Sequence, residues 1–473
     1  MHQNYTTNQL DETKISLKRV LGLPTGVLMV AGIMIGSGVF KKIAPMSAAL
    51  MSEPYILAAW IIAGIITMFG AFILAGLATT TTESGGVYEY LRLSVGNLFS
   101  FLYGFTVFTI IGSGSIAALA FIFSQSLNTL VHIPEPFPEL QNISIAHFIF
   151  PFANSGIKLV AVVAIILLTW VNYRGTKNGG VLSNIITAAK ILGILFMITM
   201  GLFFSSAPVA GIAVKAATIP LSNTAIFSAL FGAMLSAFWA YDGWAIISSV
   251  TGEIKNPKQN VPIAIIAGVG IAMALYVLMN YAFMQVLPVS QLAAIDENNI
   301  AAAVVAGAIM GKAGTIIISV LIMICTFGSL SGCIIVYPRI YYRMAQENFF
   351  FKKLANVHPK RRTPYVSLLA SMLWSIILVV SGTFDLLTNL VIFAGFFFYV
   401  LLAAGLLRLK RKGQITSKVI GYPVVPYIVI LFSAVLIINT IIVQPLQSFT
   451  GLVLVLTGVP FYYYFKRKIS TIK

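Results

Sequence analysis

The stretch G-I-M-I-G-S-G-V-F, Gly32 to Phe40, lies in the middle of an apolar run from about residue 20 to 50. It puts Gly32, Gly36 and Gly38 where a membrane helix would be deepest. Each glycine costs a helix about 1 kcal/mol relative to alanine, so this cluster marks backbone that leaves the helix. A second stretch, S-A-F-W-A-Y-D-G-W from Ser236 to Trp244, places Asp242 and Gly243 mid-run in the same way. Close packing through small residues is the competing account, and Gly32-x-x-x-Gly36 has the spacing of that motif. Packing alone does not explain the second stretch, where a carboxylate, costly at that depth, sits beside the glycine.

The surroundings of these stretches set the fold class. Of 473 residues, 59% are hydrophobic and only 9% charged, which excludes a water-soluble globular chain. A spanning helix needs about 20 apolar residues, and such runs fall at about 20–50, 55–78, 98–126, 156–172, 181–204, 225–250, 261–288, 313–345, 365–382, 386–408, 420–441 and 447–465. The pattern predicts an all-α polytopic membrane protein of twelve spans, one transmembrane domain over residues 1–473, with no room for a soluble catalytic domain. The broken first and sixth runs are corresponding members of two five-helix halves, about 18–206 and 225–410, with two further helices over about 420–465. That is the expectation for an inverted repeat whose site lies at the membrane midplane.

Charge orients this arrangement. There are 30 Lys+Arg against 13 Asp+Glu, a formal +17. With the N-terminus inside, 24 of the basic residues fall on one side, including Lys14, Lys18, Arg19, Arg92, Arg174, Lys177, the run from Arg339 to Arg362 and the C-terminal tail. Lys41, Lys42, Lys158, Lys215 and Lys312 fall on the other, and Lys190 on neither. The positive-inside rule makes both termini cytoplasmic. The basic excess is then topology and contact with anionic membrane lipid, and no nucleic-acid partner is expected. The polar start, M-H-Q-N-Y-T-T-N, predicts no cleavable signal peptide, and the glycosylation patterns at Asn4 and Asn142 read as chance matches.

Enzyme signatures are missing. Cys325 and Cys333 lie about 12 Å apart along one helix, too far to bridge. His2, His132, His147 and His358 are scattered over tails and loops, and neither a phosphate-binding loop nor an H-E-x-x-H motif occurs. The expectation is no catalytic residue, no metal and no cofactor, leaving a gradient or exchange as the energy source.

Unwound backbone is tolerated in a bilayer only around a protein-lined cavity, so the breaks are the candidate binding site. The amides of Ser37, Gly38 and Val39 would open an outer half-helix whose positive end suits a carboxylate. The carbonyls around Ile33 to Ile35, with those of Phe238 and Trp239, would suit an ammonium. An α-amino acid carries both groups on one carbon. Lys190 lies at least nine residues, roughly 14 Å, from either end of its span, beyond easy snorkelling. It is either a cation standing in for a coupling metal ion or a donor to carbonyls of the broken helix, and the two roles are compatible. Asp242 could neutralise Lys190 or a cationic substrate, or act as an N-cap where the helix restarts; the N-cap is the simpler reading. Glu53, Glu83 and Asp385 sit near span ends, so negative charge at depth is sparse and neutral substrates are favoured. Trp239, Tyr241, Trp244 and Tyr276 are candidates for gate and pocket walls, and Asn280 shares the Tyr276 face at i, i+4.

Taken in order, these residues resemble the amino acid, polyamine and organocation superfamily, and within it the L-type amino acid transporter branch. G-I-M-I-G-S-G-V-F is similar to that family's first helix and S-G-G-V-Y-E-Y-L (Ser84 to Leu91) to its first cytoplasmic loop. T-A-A-K-I-L (Thr187 to Leu192) resembles the fifth helix with its membrane lysine. W-A-Y-D-G-W with E-I-K-N-P (Glu253 to Pro257) resembles the sixth helix and the loop after it. A-L-Y-V-L-M-N (Ala274 to Asn280) is similar to the seventh helix, and F-G-S-L-S-G, Y-P-R and H-P-K-R-R-T-P (His358 to Pro364) to the eighth and its loop.

The resemblance implies the leucine-transporter fold, alternating access and sodium-independent amino acid transport, commonly as exchange. It implies carboxylate binding at Gly36, Ser37 and Gly38, gating by Trp239, a substrate-side role for Tyr276, and a bridge from Lys190 toward Ser329, where sodium-coupled relatives of the fold hold an ion. Three departures stand out. The gate is Trp239 where Phe is usual, which narrows the pocket. Ala245 replaces a common polar Asn. The loop between the third and fourth spans has no cysteine for a disulfide-linked heavy subunit. The chain is therefore expected to be a stand-alone prokaryotic plasma-membrane protein, a monomer or weak homo-oligomer, exchanging small neutral L-amino acids such as alanine, serine or threonine. The alternatives are a proton-coupled symporter, a cationic amino acid or polyamine antiporter, and, from a different class, a channel.

Overall fold

Long apolar runs punctuated by Pro and Gly build the molecule, because a backbone in lipid must satisfy its own hydrogen bonds. In a computed structural model, residues 21–81, 85–145, 150–174, 179–203, 223–361 and 363–470 are described. Asn4, His2, Lys14, Lys18, Arg19, Glu83, Ser84, His147, Lys177, Lys215 and Arg362 lie outside the described residues, as do the outer limits of the first repeat.

The described residues form eleven helices long and apolar enough to span a membrane and a shorter twelfth, Tyr365–Ser381. The spans are, in order, Leu23–Lys41, Glu53–Ala78, Asn97–Leu130, Ser155–Arg174, Gly179–Phe203, Asn223–Tyr241, Pro257–Val286, Ala301–Gln346, Tyr365–Ser381, Phe384–Arg411, Val424–Val443 and Pro445–Ser470. Prolines open several of them, at Pro54, Pro257 and Pro445, where the missing N–H costs nothing. The third span packs on the eighth, the second on the seventh, and the fourth on the ninth, while the first runs against the seventh and fifth. Large apolar side chains such as Leu192, Leu431 and Ile442 are exposed at 66%, 68% and 72%, as lipid-facing surfaces require.

Three features depart from the sequence reading. The eighth span, expected from 313, is preceded by a short helix from Ala301 to Met310 that meets it at Gly311, whose φ of 62° and ψ of −150° suit glycine. The third span carries a π-helical turn, Val107–Ile111. Ser113 Oγ donates to the Phe108 carbonyl (2.8 Å) and Trp374 Nε1 to that of Thr109 (2.8 Å), satisfying groups such a turn exposes. The sixth span stops at Tyr241, and after a turn the chain continues as a 3-10 helix, Ile246–Glu253. Beyond that, Lys255 N–H donates to the Leu21 carbonyl (2.8 Å), tying the loop after the sixth span to the chain entering the first.

Candidate functional site

The first span is broken where its glycines predict. Helix Leu23–Met34 ends at Ile35 (φ −70°, ψ 78°), and a new helical segment opens at Gly38–Lys41 and continues as Ile43–Leu50. The glycines have separate causes. A Cβ at Gly32 would run into Thr187 of the fifth span, and one at Gly38 into the backbone and side chain of Ala240 in the sixth. Gly32 therefore serves packing as well as the break, and Gly38 lets the two broken helices touch.

Close approach at Thr187 brings the next turn of the fifth span, and with it Lys190, onto the break. Lys190 is 1% exposed. Its Nζ donates to the carbonyls of Gly32 (2.7 Å) and Ile35 (2.9 Å) and to Ser329 Oγ (2.8 Å). Three N–H groups meet three acceptors, so the buried ammonium is fully satisfied. Ser329 Oγ also lies 3.2 Å from the Ile35 carbonyl and 3.3 Å from that of Gly32. These carbonyls end a helix and have no partner within it. The carbonyl of Ile35, expected to meet the ammonium of a substrate, is instead taken by the chain's own Lys190.

In the turn that follows the sixth span Gly243 takes φ +100°, a conformation closed to most side chains, and a Cβ there would press on Ile33. Asp242 is not the N-cap that its position foretold. The 3-10 helix is capped by Ala245 without a side-chain bond, because four turn residues separate Tyr241 from the restart. Asp242 instead accepts from the hydroxyl of Tyr399 in the tenth span (3.3 Å). Lys190 is satisfied elsewhere, so the two groups do not pair. Trp239 Nε1 donates to Ser37 Oγ at 3.1 Å, joining the two breaks directly.

A cleft opens beside this junction. Of the candidates named from sequence, Ile33, Gly36, Ser37, Gly38, Trp239 and Asp242 line it, together with Met34 and Gly243. The remaining candidates stand behind it. Phe238 packs edge-on against Phe396 (4.6 Å). Tyr241 donates to the Trp60 carbonyl (3.1 Å), and its ring meets Tyr276 at 5.1 Å, so both tyrosines are held against the second span. Among the described residues the hydroxyl of Tyr276 and Oδ1 of Asn280 have no hydrogen-bond partner. Trp244 packs on Tyr399 (5.5 Å). Ser115, Leu119, Cys333 and Tyr337 also line the cleft and were not foreseen. Their signal is a four-residue spacing: Ser115 and Leu119 share one face of the third span, and Ser329, Cys333 and Tyr337 one face of the eighth. A second cavity shares Asp242, Gly243, Ile246 and Tyr337 and reaches Val87, Ser249 and Ile340, toward the basic face.

The opposite face is closed around Lys41 and Lys42, which the charge pattern placed on that side, and Asp385, which it placed near a span end. Lys41 and Lys42 are 3% and 1% exposed. Lys41 Nζ donates to Gln125 Oε1 (2.7 Å) and the Glu297 carbonyl (2.5 Å). Lys42 Nζ donates to Asp385 Oδ1 (2.5 Å) and Thr388 Oγ1 (2.8 Å). Lys190 and Asp242 are thus not alone as buried charges. Lys158, donating to the carbonyls of Phe150 and Val380, is buried as well.

Among the described residues twelve apolar helices, with facing breaks at the first and sixth beside a polar-lined cleft, define a multi-pass membrane transporter. The chain belongs to the amino acid permease family, whose model matches residues 21–464, and so to the superfamily its motifs resemble; it is a permease and not an enzyme. It is similar to the serine/threonine exchanger SteT of Bacillus subtilis, at 29% identity over 96% of this chain and 98% of that protein. It is also similar to the b(0,+)-type amino acid transporter 1 of Mus musculus, at 29% identity over 97% and 90%. The large neutral amino acids transporter small subunit 2 of the same species is 30% identical over 95% of this chain and 81% of that protein.

Proposed function

We propose that the protein exchanges neutral L-amino acids across the cell membrane without sodium, by alternating access around the facing breaks of the first and sixth spans. The observation that carries this reading is Lys190. The Gly32 and Ile35 carbonyls and the Ser329 hydroxyl form a set of hard oxygen acceptors of the kind that binds a metal cation, and a tethered ammonium fills it. With that charge fixed, a free coupling cation has no vacancy there. The substrate carboxylate would meet the first amides of the segment opening at Gly38, near Ser37, and Trp239 would close over the substrate.

The relatives' names support the substrate class: one is a serine/threonine exchanger and another a transporter of large neutral amino acids. The narrow cleft beside Trp239 favours alanine, serine and threonine over larger side chains. The cavity reaching Val87 and Ser249, with the opposite face closed, corresponds to an inward-facing state if the basic face is cytoplasmic. On that orientation both termini are cytoplasmic, the five-helix halves are inverted repeats, and basic loops contact anionic lipid. The absence of cysteine from residues 131–154 supports a protein working without a disulfide-linked heavy subunit, as a monomer or weak homo-oligomer in a prokaryotic plasma membrane.

Counterflow of labelled amino acids in proteoliposomes, with and without sodium and at two pH values, tests this. Saturable counterflow of alanine or serine unaffected by sodium supports it. Uptake driven by a pH gradient into empty vesicles would replace exchange with proton symport. One observation favours a second reading: Asp242 faces the cleft with a tyrosine hydroxyl, not a cation, as its side-chain partner. Competition by arginine or putrescine but not by alanine would establish the cationic-substrate alternative.

A further inference from the structure

The outer closure and the Trp239 gate meet on one ring. Phe384 is the first residue of the tenth span, set by its N-cap Thr383. The Nζ atoms of Lys41 and Lys42 lie 4.9 and 4.7 Å from its ring centroid. The ring itself stands edge-on to Trp239 at 6.0 Å, with an interplanar angle of 86°. Both lysines are anchored beyond it, Lys42 on Asp385 and Thr388 of the same span, Lys41 on Gln125 of the third span and the Glu297 carbonyl. Phe384 is 3% exposed and lines a separate pocket on that face with Lys41, Gln125 and Asp385.

An ordinary packing phenylalanine would not need two buried ammoniums beside it, since each lysine must be taken out of water and re-satisfied. Cation–ring attraction and an edge-on aromatic pair are both directional, so they fix where the ring stands. The chain of contacts runs from a charge pair between spans one and ten, through a ring, to the indole that bonds Ser37.

Resting on the exchange reading above, we propose that Phe384 is the positioning residue of the outer gate. Lys41 and Lys42 hold its ring, its ring holds Trp239 over the cleft, and outward opening separates Lys42 from Asp385 and releases Trp239 together. Closure of the outer face and closure over substrate are then one event, which keeps exchange from leaking.

The test uses full-length protein in proteoliposomes. Wild-type protein is first shown to exchange labelled alanine; failure there removes the exchange reading itself and leaves the gate question to the labelling assay. A membrane-impermeant methanethiosulfonate added to the outer face then reports access to Cys333, which lines the cleft, in a Cys325→Ala background. Phe384→Ala is expected to raise the labelling rate and the outer-face KM for alanine by about tenfold, the loss of one aromatic pair and the cation–ring contacts, with a smaller change in kcat. Phe384→Tyr should restore both. Asp385→Asn, which keeps an acceptor for Lys42 without the charge, should raise labelling in the same direction and serves if Phe384→Ala does not fold. Unchanged labelling and KM in these folded variants, or Phe384→Tyr behaving as Phe384→Ala, would overturn the proposal.

Discussion

The indole N–H of Trp239 donates to the hydroxyl of Ser37 across 3.1 Å, so the break of the sixth span is bonded to the break of the first. Ser37 is the residue just before the segment that opens at Gly38, where an incoming carboxylate would bind. On the function proposed above, the gate and the substrate carboxylate would compete for, or share, one hydroxyl, which makes pocket size and gate position a single variable.

Trp239→Phe removes that bond and shortens the ring. Exchange of alanine should persist with a raised KM, while leucine should gain on alanine by about tenfold in kcat/KM, the scale for added room in an apolar pocket. Competition assays with the two amino acids check this, and an unchanged leucine-to-alanine ratio would separate Trp239 from selectivity.

Gly38→Ala places a methyl against the backbone of Ala240. Overpacking of this kind costs about 1 to 3 kcal/mol, and here it pushes apart the two helices that must meet at the site. The expected outcome is folded protein of lower thermal stability with exchange reduced at least tenfold. Gly96→Ala, at a position where a Cβ meets nothing but φ is +104°, should lower stability without the same loss of exchange.

Asp242→Asn keeps an acceptor for Tyr399. If substrates are neutral, alanine exchange should stay within about threefold of wild type, since a neutral-for-neutral hydrogen bond differs by roughly 1 kcal/mol or less. A collapse of exchange together with loss of arginine competition would move the account to the cationic reading.

On the basic face, Tyr88 donates to Glu347 (2.8 Å), and Arg343 and Arg92 approach the same carboxylate at 3.3 and 3.7 Å. Burial first, and then the Glu347 carboxylate, push the Tyr88 hydroxyl well above its ordinary value of 10.0. A raised value in the folded state means stability that is complete below the unfolded value and declines as pH rises past it. Tyr88→Phe should cost about 1 kcal/mol at neutral pH, with the same difference between the two proteins at pH 6 and at pH 9, both below the ordinary tyrosine value of 10.0. Thermal unfolding at the two values reads this out.

Much of the architecture was legible because lipid forces long apolar runs into helices and because Gly36, Gly38 and Gly243 mark where backbone leaves them. Lys190 stood out for the same reason: nothing in its own span can satisfy it. Other features depend on contacts between distant segments. Asp242 looked like a cap because its partner, Tyr399, lies in another span. Lys41 and Lys42 looked like flanking residues because their partners Gln125, Glu297 and Asp385 come from three other places in the chain. The short helix before Gly311 and the π turn at Val107–Ile111 are conformations that apolar composition alone does not distinguish from ordinary helix.

As proposed above, Lys190 holds the broken first span in place of a coupling cation. Its most direct measurement is alanine counterflow by Lys190→Ala in proteoliposomes, beside wild type, with and without sodium. Removing the ammonium leaves two buried carbonyls and a serine without their donor, each costing about 1 to 3 kcal/mol. The expected result is sodium-indifferent counterflow in wild type and a fall of at least tenfold in a variant that still purifies as folded protein. Full counterflow by Lys190→Ala would contradict it.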